Sequence, residues 1–474
     1  MTSTATLGQW RNGGTAAAPW LAAGALVLAV GLGAFFVHPL LGAAVLGLFA
    51  APLFVVAPQY AFLLFVALLP FDAVSSLQSE GGVTITRLIG LALFAGWILH
   101  LVIERKRVRL TRGARRLCVF VAFAGVSVLW AGDPSVSLRA VITLVQLLLL
   151  AVMGSNVLRE PRDVQRVVDV LLASTAIVAV LMLGEVNPAG HRLTFTFGGE
   201  TVNANYVAAT LVFPAVAAVA LGSAGGAWGW WRFAAVAPIA IALFLTGSRG
   251  GAVALIGGLL VVAAVRRRVG VRLAIGGVLL ATVLPLMVPQ ATMDKLTSRY
   301  SAAEEDRLSG RMDIWRVAMA MVEDRPLQGQ AYGGFADAFY QYMLTAKVDP
   351  EFGRMHSRGN RAAHNIYLGT LAELGIVGIV LLGAALLAHW RGLWRARLAA
   401  LRRGDETTAR LALALLGVFA SVLIFGATID LLGTKATWIW LATMEAVTFI
   451  AVRRSAGTPA PVRAPSRRRV RVRP

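Results

Sequence analysis

Residues 309–335 read SGRMDIWRVAMAMVEDRPLQGQAYGGF, and residues 363–387 read AHNIYLGTLAELGIVGIVLLGAALL. The first stretch is polar, with a charged side chain every few positions. The second opens on His364 and passes into an apolar run in which Glu373 is the one charged residue. Most of the preceding sequence and all of the following run are apolar enough for a bilayer. The pair therefore frames a polar excursion of about 70 residues between two spans, and polar chemistry belongs where that excursion meets the span ends.

Working outward, 57% of the 474 residues are hydrophobic, 15% are charged, and the mean hydropathy is +0.70. A soluble chain of that composition could not cover its surface with polar residues, so the sequence reads as a polytopic membrane protein. Windows long enough to span a bilayer fall at 20–37, 40–57, 86–103, 115–131, 136–156, 163–184, 202–222, 231–246, 249–265, 270–289, 364–389, 408–428 and 433–452. A shorter run, Tyr60 to Phe71, decides between about 14 spans and about 12. The expected fold class is all-α: a polytopic transmembrane helix bundle of about 12–14 spans with one large extracytoplasmic loop containing amphipathic helices. The first window follows a weakly charged segment and leads straight into the second, which reads as a retained span and not a cleaved signal. The expected organisation is a disordered cytoplasmic N-terminus over 1–18, an N-terminal transmembrane bundle over 19–289 and a large periplasmic loop over 290–363. C-terminal transmembrane helices over 364–452 and a basic, disordered cytoplasmic tail over 453–474 complete it.

The formal charge of +21 would point to nucleic acid in a soluble chain. Here the basic residues cluster in short loops beside apolar runs, so no nucleic-acid partner is expected and the charge reads as topology and contact with anionic membrane lipids. The loops Glu104 to Arg116, Arg266 to Arg272 and Arg391 to Arg410, with the tail, are then cytoplasmic. Parity places Asp72 to Arg87, Gly184 to Asn205, the turn at Gly247 to Gly250 and Gln290 to Ala363 on the other face. Cys118 is the single cysteine, which excludes an intrachain disulfide and a thiolate metal cluster and fits a small filler within a helix.

On the outer face three segments bring polar residues to helix ends. In HRLTFTFGGETVNANY, residues 191–206, Asn203 and Asn205 suit an N-cap, while the helix N-terminus with Arg192 nearby also suits phosphate oxygens. In LFLTGSRGGAVAL, residues 243–255, Arg249 either snorkels to lipid phosphate or forms a fixed positive charge, and Gly247, Gly250 and Gly251 would let backbone approach a ligand. From Leu308 to Met321, apolar Leu308, Met312, Trp315 and Met319 with polar Arg311, Asp313 and Arg316 read as an amphipathic helix at the membrane. Arg311 there either pairs with Asp313 or Glu305 or serves a ligand. Glu304, Glu305 and Asp306 are consecutive and do not converge from separate elements, so no metal site is expected. His364, after Arg354, Arg358 and Arg361 and before Asn365, reads as a helix-end residue or as a general base, since neutral imidazole accepts a proton near pH 7. Glu373 lies about two and a half turns further on, too far to orient that imidazole, and reads as structural.

Together these segments resemble the O-antigen ligase and O-antigen polymerase family of polytopic membrane glycosyltransferases, with the lipopolysaccharide O-antigen ligase branch favoured. The resemblance covers roughly 85–450 and rests on the Arg192 to Asn205 segment, GSRGG, SGRMDIWRVAM and AHNIYLGTLAELG. It implies a bacterial inner-membrane enzyme with its active site on the periplasmic face, a glycan donor on undecaprenyl diphosphate, a lipid- or glycan-linked acceptor such as lipid A-core, and no cofactor or metal. It further implies a clamp on the diphosphate from Arg192, Arg249 and, more weakly, Arg311. His364 would be the base, Asn203, Asn205, Arg361 and Asn365 would support it, and the anomeric centre would invert. Polymerisation or transfer to protein are the variants within the family. A transporter of lipid-linked solutes is the reading of another class, and it would call for repeated halves and ionisable residues at mid-span, whereas the charges here read as lying at span ends.

The charge asymmetry makes a direct prediction. Single cysteines at positions 249 and 403, in a Cys118-free background, should react with a membrane-impermeant reagent from opposite sides, and labelling from one side would refute the topology.

Overall fold

A computed structural model describes residues 53–72, 85–184, 186–187, 194–197, 200–222, 229–266, 310–346, 348 and 362–456. The expected spans at 20–37 and 270–289 and most of that at 40–57 lie outside those residues. So do Arg192, Arg267, Arg361, the acidic run at 304–306, the N-terminal 1–18 and the tail beyond 456.

The chain divides into two compact units, one of residues 1–62 and 87–107 and one of 63–86 and 108–474. Helix α1 (Pro58–Asp72) and helix α2 (Ile85–Ile103) come first in the described chain. Within the first unit, His100 Nδ1 lies 2.8 Å from the Val55 carbonyl, and Gly96 sits so close to the Phe54 backbone that a side chain there would collide with it.

The second unit holds α3 (Arg112–Ser127), α4 (Pro134–Val157), α5 (Pro161–Gly184), α6 (Ala204–Gly222), α7 (Trp230–Leu245), α8 (Arg249–Val265), α9 (Arg311–Asp324), α10 (Phe335–Thr345), α11 (Ile366–Arg402), α12 (Glu406–Gly426) and α13 (Lys435–Ala456). Seven of these, α3 to α6 and α11 to α13, are long and apolar enough to cross a membrane, α3 with the help of the 3-10 turn Val128–Trp130 that continues it. Helices α7 and α8, like α1 and α2, are shorter apolar helices. The fold is the all-α polytopic bundle expected.

Helix starts are written in the local sequence. Thr111 accepts from the amides of Gly113 and Ala114, Asp133 precedes Pro134 and accepts from Ser135 and Val136, and Asp405 accepts from Thr408. Each side-chain oxygen satisfies amides that have no partner within the helix. The loop expected over 391–410 is instead mostly helix: α11 runs for 37 residues, about 55 Å at 1.5 Å per residue, and the turn is confined to Arg403–Asp405. WRGLWRARLAALR is rich in good helix formers, and its arginines end the apolar span without ending the helix.

Helix α12 is the centre of the bundle, with 83% of its span buried, and it packs on α8, α11 and α6. Its contact with α8 is backbone-close. Gly258 lies against Ser421 and the Gly417 carbonyl, and the Ser421 hydroxyl donates to the Ala254 carbonyl at 2.8 Å. Small residues permit that approach in lipid, where packing takes over from the hydrophobic effect in joining helices.

Ionisable residues do lie within the helices, contrary to the expectation that they keep to span ends. His389 of α11 pairs with Glu445 of α13 at 2.8 Å, and the Thr111 hydroxyl donates to the other Glu445 oxygen. Arg232 of α7 grips Asp169 of α5 through two bonds of 2.8 and 2.7 Å. Pairing is what makes such charges tolerable, and a hydropathy window averages them away.

Polar links define the two ends of the unit. At one end Asn156 exchanges bonds with the Arg109 backbone, and Arg454 meets Asp405 at 2.6 Å. At the other, Tyr332 N donates to the Ser127 hydroxyl at 3.0 Å, the Ser137 hydroxyl donates to Tyr332 O at 2.8 Å, and Ser248 donates to Asn205 at 2.9 Å. This second end also carries a small antiparallel sheet, β1 (Val186–Asn187), β2 (Thr194–Phe197) and β3 (Glu200–Val202), paired in that order. The sequence reading had a loop there, although alternating Thr and Phe favour extended chain.

The second end is organised by an opened helix. Gly375, at φ 62° and ψ −164°, interrupts α11. An unbroken helix would join Ile376 N to the Ala372 carbonyl. Here Ile376 N donates to the Pro326 carbonyl at 2.8 Å, and the Ala372 carbonyl accepts from Gln330 N at 3.0 Å. Residues 326–330 thus fill the gap, and Gly329, also at positive φ (67°), lies against the Glu373 backbone where a side chain would collide.

A Cβ at Gly375 would strike the Leu327 carbonyl and force a disfavoured backbone conformation. Gly375→Ala is expected to cost about 1–3 kcal/mol in strain alone, read as a lower thermal midpoint in detergent. A midpoint equal to that of the parent would refute the account of the opened helix.

Candidate active site

At the second end, α10, the start of α11 and the 430–432 turn enclose a cavity of about 370 Å³. Its wall carries Tyr332, Asn365, Thr370, Glu373 and Asp430 among small and apolar residues. Glu373 Oε1 accepts from Phe335 N at 3.2 Å and so satisfies an amide at the N-terminus of α10 that has no partner within the helix. The structural role expected for Glu373 is present, and the residue also faces the cavity. Asp430 is enclosed on its protein side and accepts from Leu432 N at 3.1 Å. Burial pushes its carboxyl above the usual carboxylate range. Burial, with the charges of Asp430 and Glu373 adding to it, also pushes the Tyr332 hydroxyl well up, so that hydroxyl stays a donor.

His364 is built into a bend. Its φ of 49° is uncommon for a residue with a side chain, and it turns the chain from Ala363 into α11. Ala363 is pinned by Trp315 Nε1, which donates to its carbonyl at 3.1 Å, and Asn365 accepts from the amides of Tyr367 and Leu368 at 3.0 and 3.1 Å. His364 is thereby held between a residue tied to α9 and the cap of α11. Asn365 both caps the helix and lines the cavity.

Arg249 is the first residue of α8 and is exposed, and its guanidinium has no hydrogen bond or ion pair with any described residue. The preceding Ser248 caps α8 through Gly251 N at 3.2 Å and donates to Asn205, tying α6 to α8 beside the arginine. The neighbouring glycines serve a different end from the one expected. Gly250 abuts Thr428 of the α12–α13 turn, and Gly251 lies at contact distance from Ala208, so both make room for helices and not for a ligand. Asn203 accepts from Asn205 N at 3.0 Å as the cap of α6.

The amphipathic helix is present as α9, but its buried face is not the expected one. Ile314, Val317, Ala318 and Met321 pack against Phe335, Phe339, Met343 and Ala372, whereas Met312 and Met319 are exposed. The helix has two apolar stripes, and the bulkier one dominates a count of large residues. Asp313 is buried and takes Arg316 at 2.6 Å, while Arg311, next to Gly310 at φ 73°, begins the helix.

The structure therefore brings Arg249, Asn205, Arg311, His364 and Asn365 to one end of the bundle. Of these, Asn365 is in the cavity wall. Tyr332 and Asp430 are the wall residues that sequence reasoning missed. The signal for Asp430 was present: a lone carboxylate in FGATIDLLG, between two apolar runs.

These features define a polytopic helical membrane protein with two carboxyl groups in a cavity at one end of its bundle and an exposed guanidinium, that of Arg249, at the same end. Residues 233–383, from α7 to the middle of α11, match the family described as O-antigen ligase. That match supports a place among the O-antigen ligase and polymerase proteins, a family whose members are enzymes acting on glycans. No curated protein matches the chain. A solved chain, from work on structural coordination of polymerization and crosslinking by a peptidoglycan synthase complex, is 19% identical, with a TM-score of 0.39 over 73% of this chain and 98% of that one.

Because burial raises the Asp430 carboxyl, the folded protein keeps a proton that the unfolded chain has already released. Stability should fall as pH rises from about 4, the ordinary carboxylate range, and level off above the folded pKa. Asp430→Asn should match the parent at about pH 4 and exceed it at about pH 7, as read from thermal midpoints across that range. Parallel profiles for the two proteins would refute the assignment.

Proposed function

We propose that the protein transfers a glycan from undecaprenyl diphosphate to an acceptor hydroxyl, on lipid A-core in the manner of an O-antigen ligase, at the periplasmic face of the bacterial inner membrane. The observation that carries this reading is the exposed Arg249 guanidinium, without a described partner at a helix N-terminus, at the same end of the bundle as His364. Helix N-termini and guanidiniums both favour phosphate oxygens. Arg192 and Arg311 complete the clamp in this proposal, and residues 290–363 form the periplasmic loop above it.

In the reaction, the neutral His364 imidazole takes the proton of the acceptor hydroxyl as its oxygen bonds to the anomeric carbon. The bond from that carbon to the diphosphate oxygen breaks, and undecaprenyl diphosphate departs with the electron pair. Attack opposite the leaving group inverts the centre. Fixed guanidiniums compensate the charge that develops on the diphosphate, so the proposal requires no metal. The acceptor-rich cavity beside His364 suits a hydroxyl-bearing group, which separates sugar from phosphate within one site. Polymerisation and transfer to protein would use the same groups with another acceptor.

Transfer is tested with purified protein, an undecaprenyl-diphosphate glycan and candidate acceptors, with products identified by mass. His364→Ala is expected to lose about two to four orders of magnitude in turnover with donor affinity unchanged. The parent rate should fall in acid as the imidazole is protonated. Arg249→Ala should lose both donor affinity and rate, since the leaving group gains charge as the bond breaks. A His364→Ala protein that keeps most of its turnover would reduce the histidine to a helix-end residue and remove the mechanism.

A further inference from the structure

A second cavity, of about 540 Å³, lies between α9 and α10 on the face of the outer helices. The reaction proposed above makes no use of it. Its volume falls within the range of about 300–1,000 Å³ usual for small-molecule sites. The wall is polar: Glu323, Asp324, Gln330, Asp337, Gln341 and Tyr342 face it, over a floor of glycine and alanine.

Three of those groups form an ordered row. Gln330, 6% exposed, donates through Nε2 to the Tyr342 hydroxyl at 2.7 Å, and that hydroxyl donates to Asp324. Nε2 is spent inside the protein, while the side-chain oxygen of Gln330 has no hydrogen bond to a described residue and remains accessible, so it can accept from a group in the cavity. Asp324, ionised below the usual range because the Tyr342 hydroxyl bonds to it, offers further acceptor capacity. Among the described residues no three metal-ligating side chains come together, so this wall does not form a cation site.

We propose that this cavity is a carbohydrate subsite that holds a sugar of the transferred glycan, neutral or amino-bearing, away from the reacting end. The inference rests on the glycan-transfer reading. Each sugar hydroxyl both donates and accepts, which matches a wall of fixed acceptors with Gln341 and Arg325 as donors, and a small-residue floor leaves room for a flat ring. Three carboxylates against the single cation Arg325 favour amino sugars over neutral ones and disfavour uronic acids. The placement suits an extended glycan, because consecutive residues of one turn serve both cavities: Gly333, Phe335 and Ala336 line the reaction cavity, and Gly334, Asp337 and Ala338 line this one.

The test is calorimetric binding of tetrasaccharides to the full chain in nanodiscs, using a glucosamine, a maltose-type and a galacturonate tetramer. The expected order of affinity is glucosamine, then maltose-type, then galacturonate. Gln330→Ala and Asp337→Asn should each weaken the glucosamine tetramer by about tenfold or more, the loss of one charged or buried hydrogen bond. Asp337 is exposed, so Asp337→Asn keeps the test readable if Gln330→Ala is destabilised, with thermal midpoints measured for both variants. No binding by any tetramer, tightest binding of the galacturonate, or equal affinity in Asp337→Asn would each overturn the subsite. His364→Ala should bind the tetramers as the parent does, so failure here is distinct from failure of the transfer reaction.

Discussion

One hydrogen bond that α11 does not make supports the rest of the cavity-bearing end of the bundle. At Gly375 the helix gives up its bond from residue 376 to residue 372, and both groups are satisfied by residues 326–330. At a membrane boundary an unsatisfied amide or carbonyl is costly, so the opened helix and its clip stand or fall together. The clip also fixes everything attached to it. Gln330 is carried into the outer cavity, Tyr332 is moored to Ser127 and Ser137, and Phe335 is set where Glu373 receives its amide. A polar loop, which would otherwise be mobile, becomes one wall of two cavities.

Charge is sorted at this end. The carboxylates Glu373 and Asp430 face inward, whereas Arg249 stands outside on the tip of α8. Burial raises the Asp430 carboxyl above the usual carboxylate range, which lowers the cost of a second carboxyl group beside Glu373. The bundle beneath is arranged to keep this end rigid: α8 and α12 touch backbone to backbone, so Arg249 and the 427–434 turn sit on one stiff pair.

The buried pairs His389–Glu445 and Arg232–Asp169 have a different character. Each joins helices distant in sequence, α11 with α13 and α5 with α7. Such pairs add little net stability over apolar packing, but an unmatched partner is heavily penalised, so they specify which helices pair. They are the intramembrane ionisable residues that the transporter reading would require. Each is engaged with its partner, and neither pair lines the two cavities described above.

For the seven described helices long enough to cross a membrane, hydropathy placed the spans and the caps at Thr111, Asp133 and Asp405 marked helix starts, because both are local properties of the chain. The same holds for the polarity of the Ser309 to Gly375 stretch and for the position of His364 just before an apolar helix. What lay beyond the sequence depends on partners far along the chain. That Gly250 and Gly251 admit helices, that α9 buries Ile314 and Val317 and leaves Met312 and Met319 outside, and that Glu373 serves α10 are facts about neighbours roughly 20 to 180 residues away. Asp430 shows the division most plainly. Its isolation between apolar runs was legible, but its place opposite Glu373 and Tyr332 follows from the break at Gly375, where a bond opened in one helix is closed by another segment of the chain.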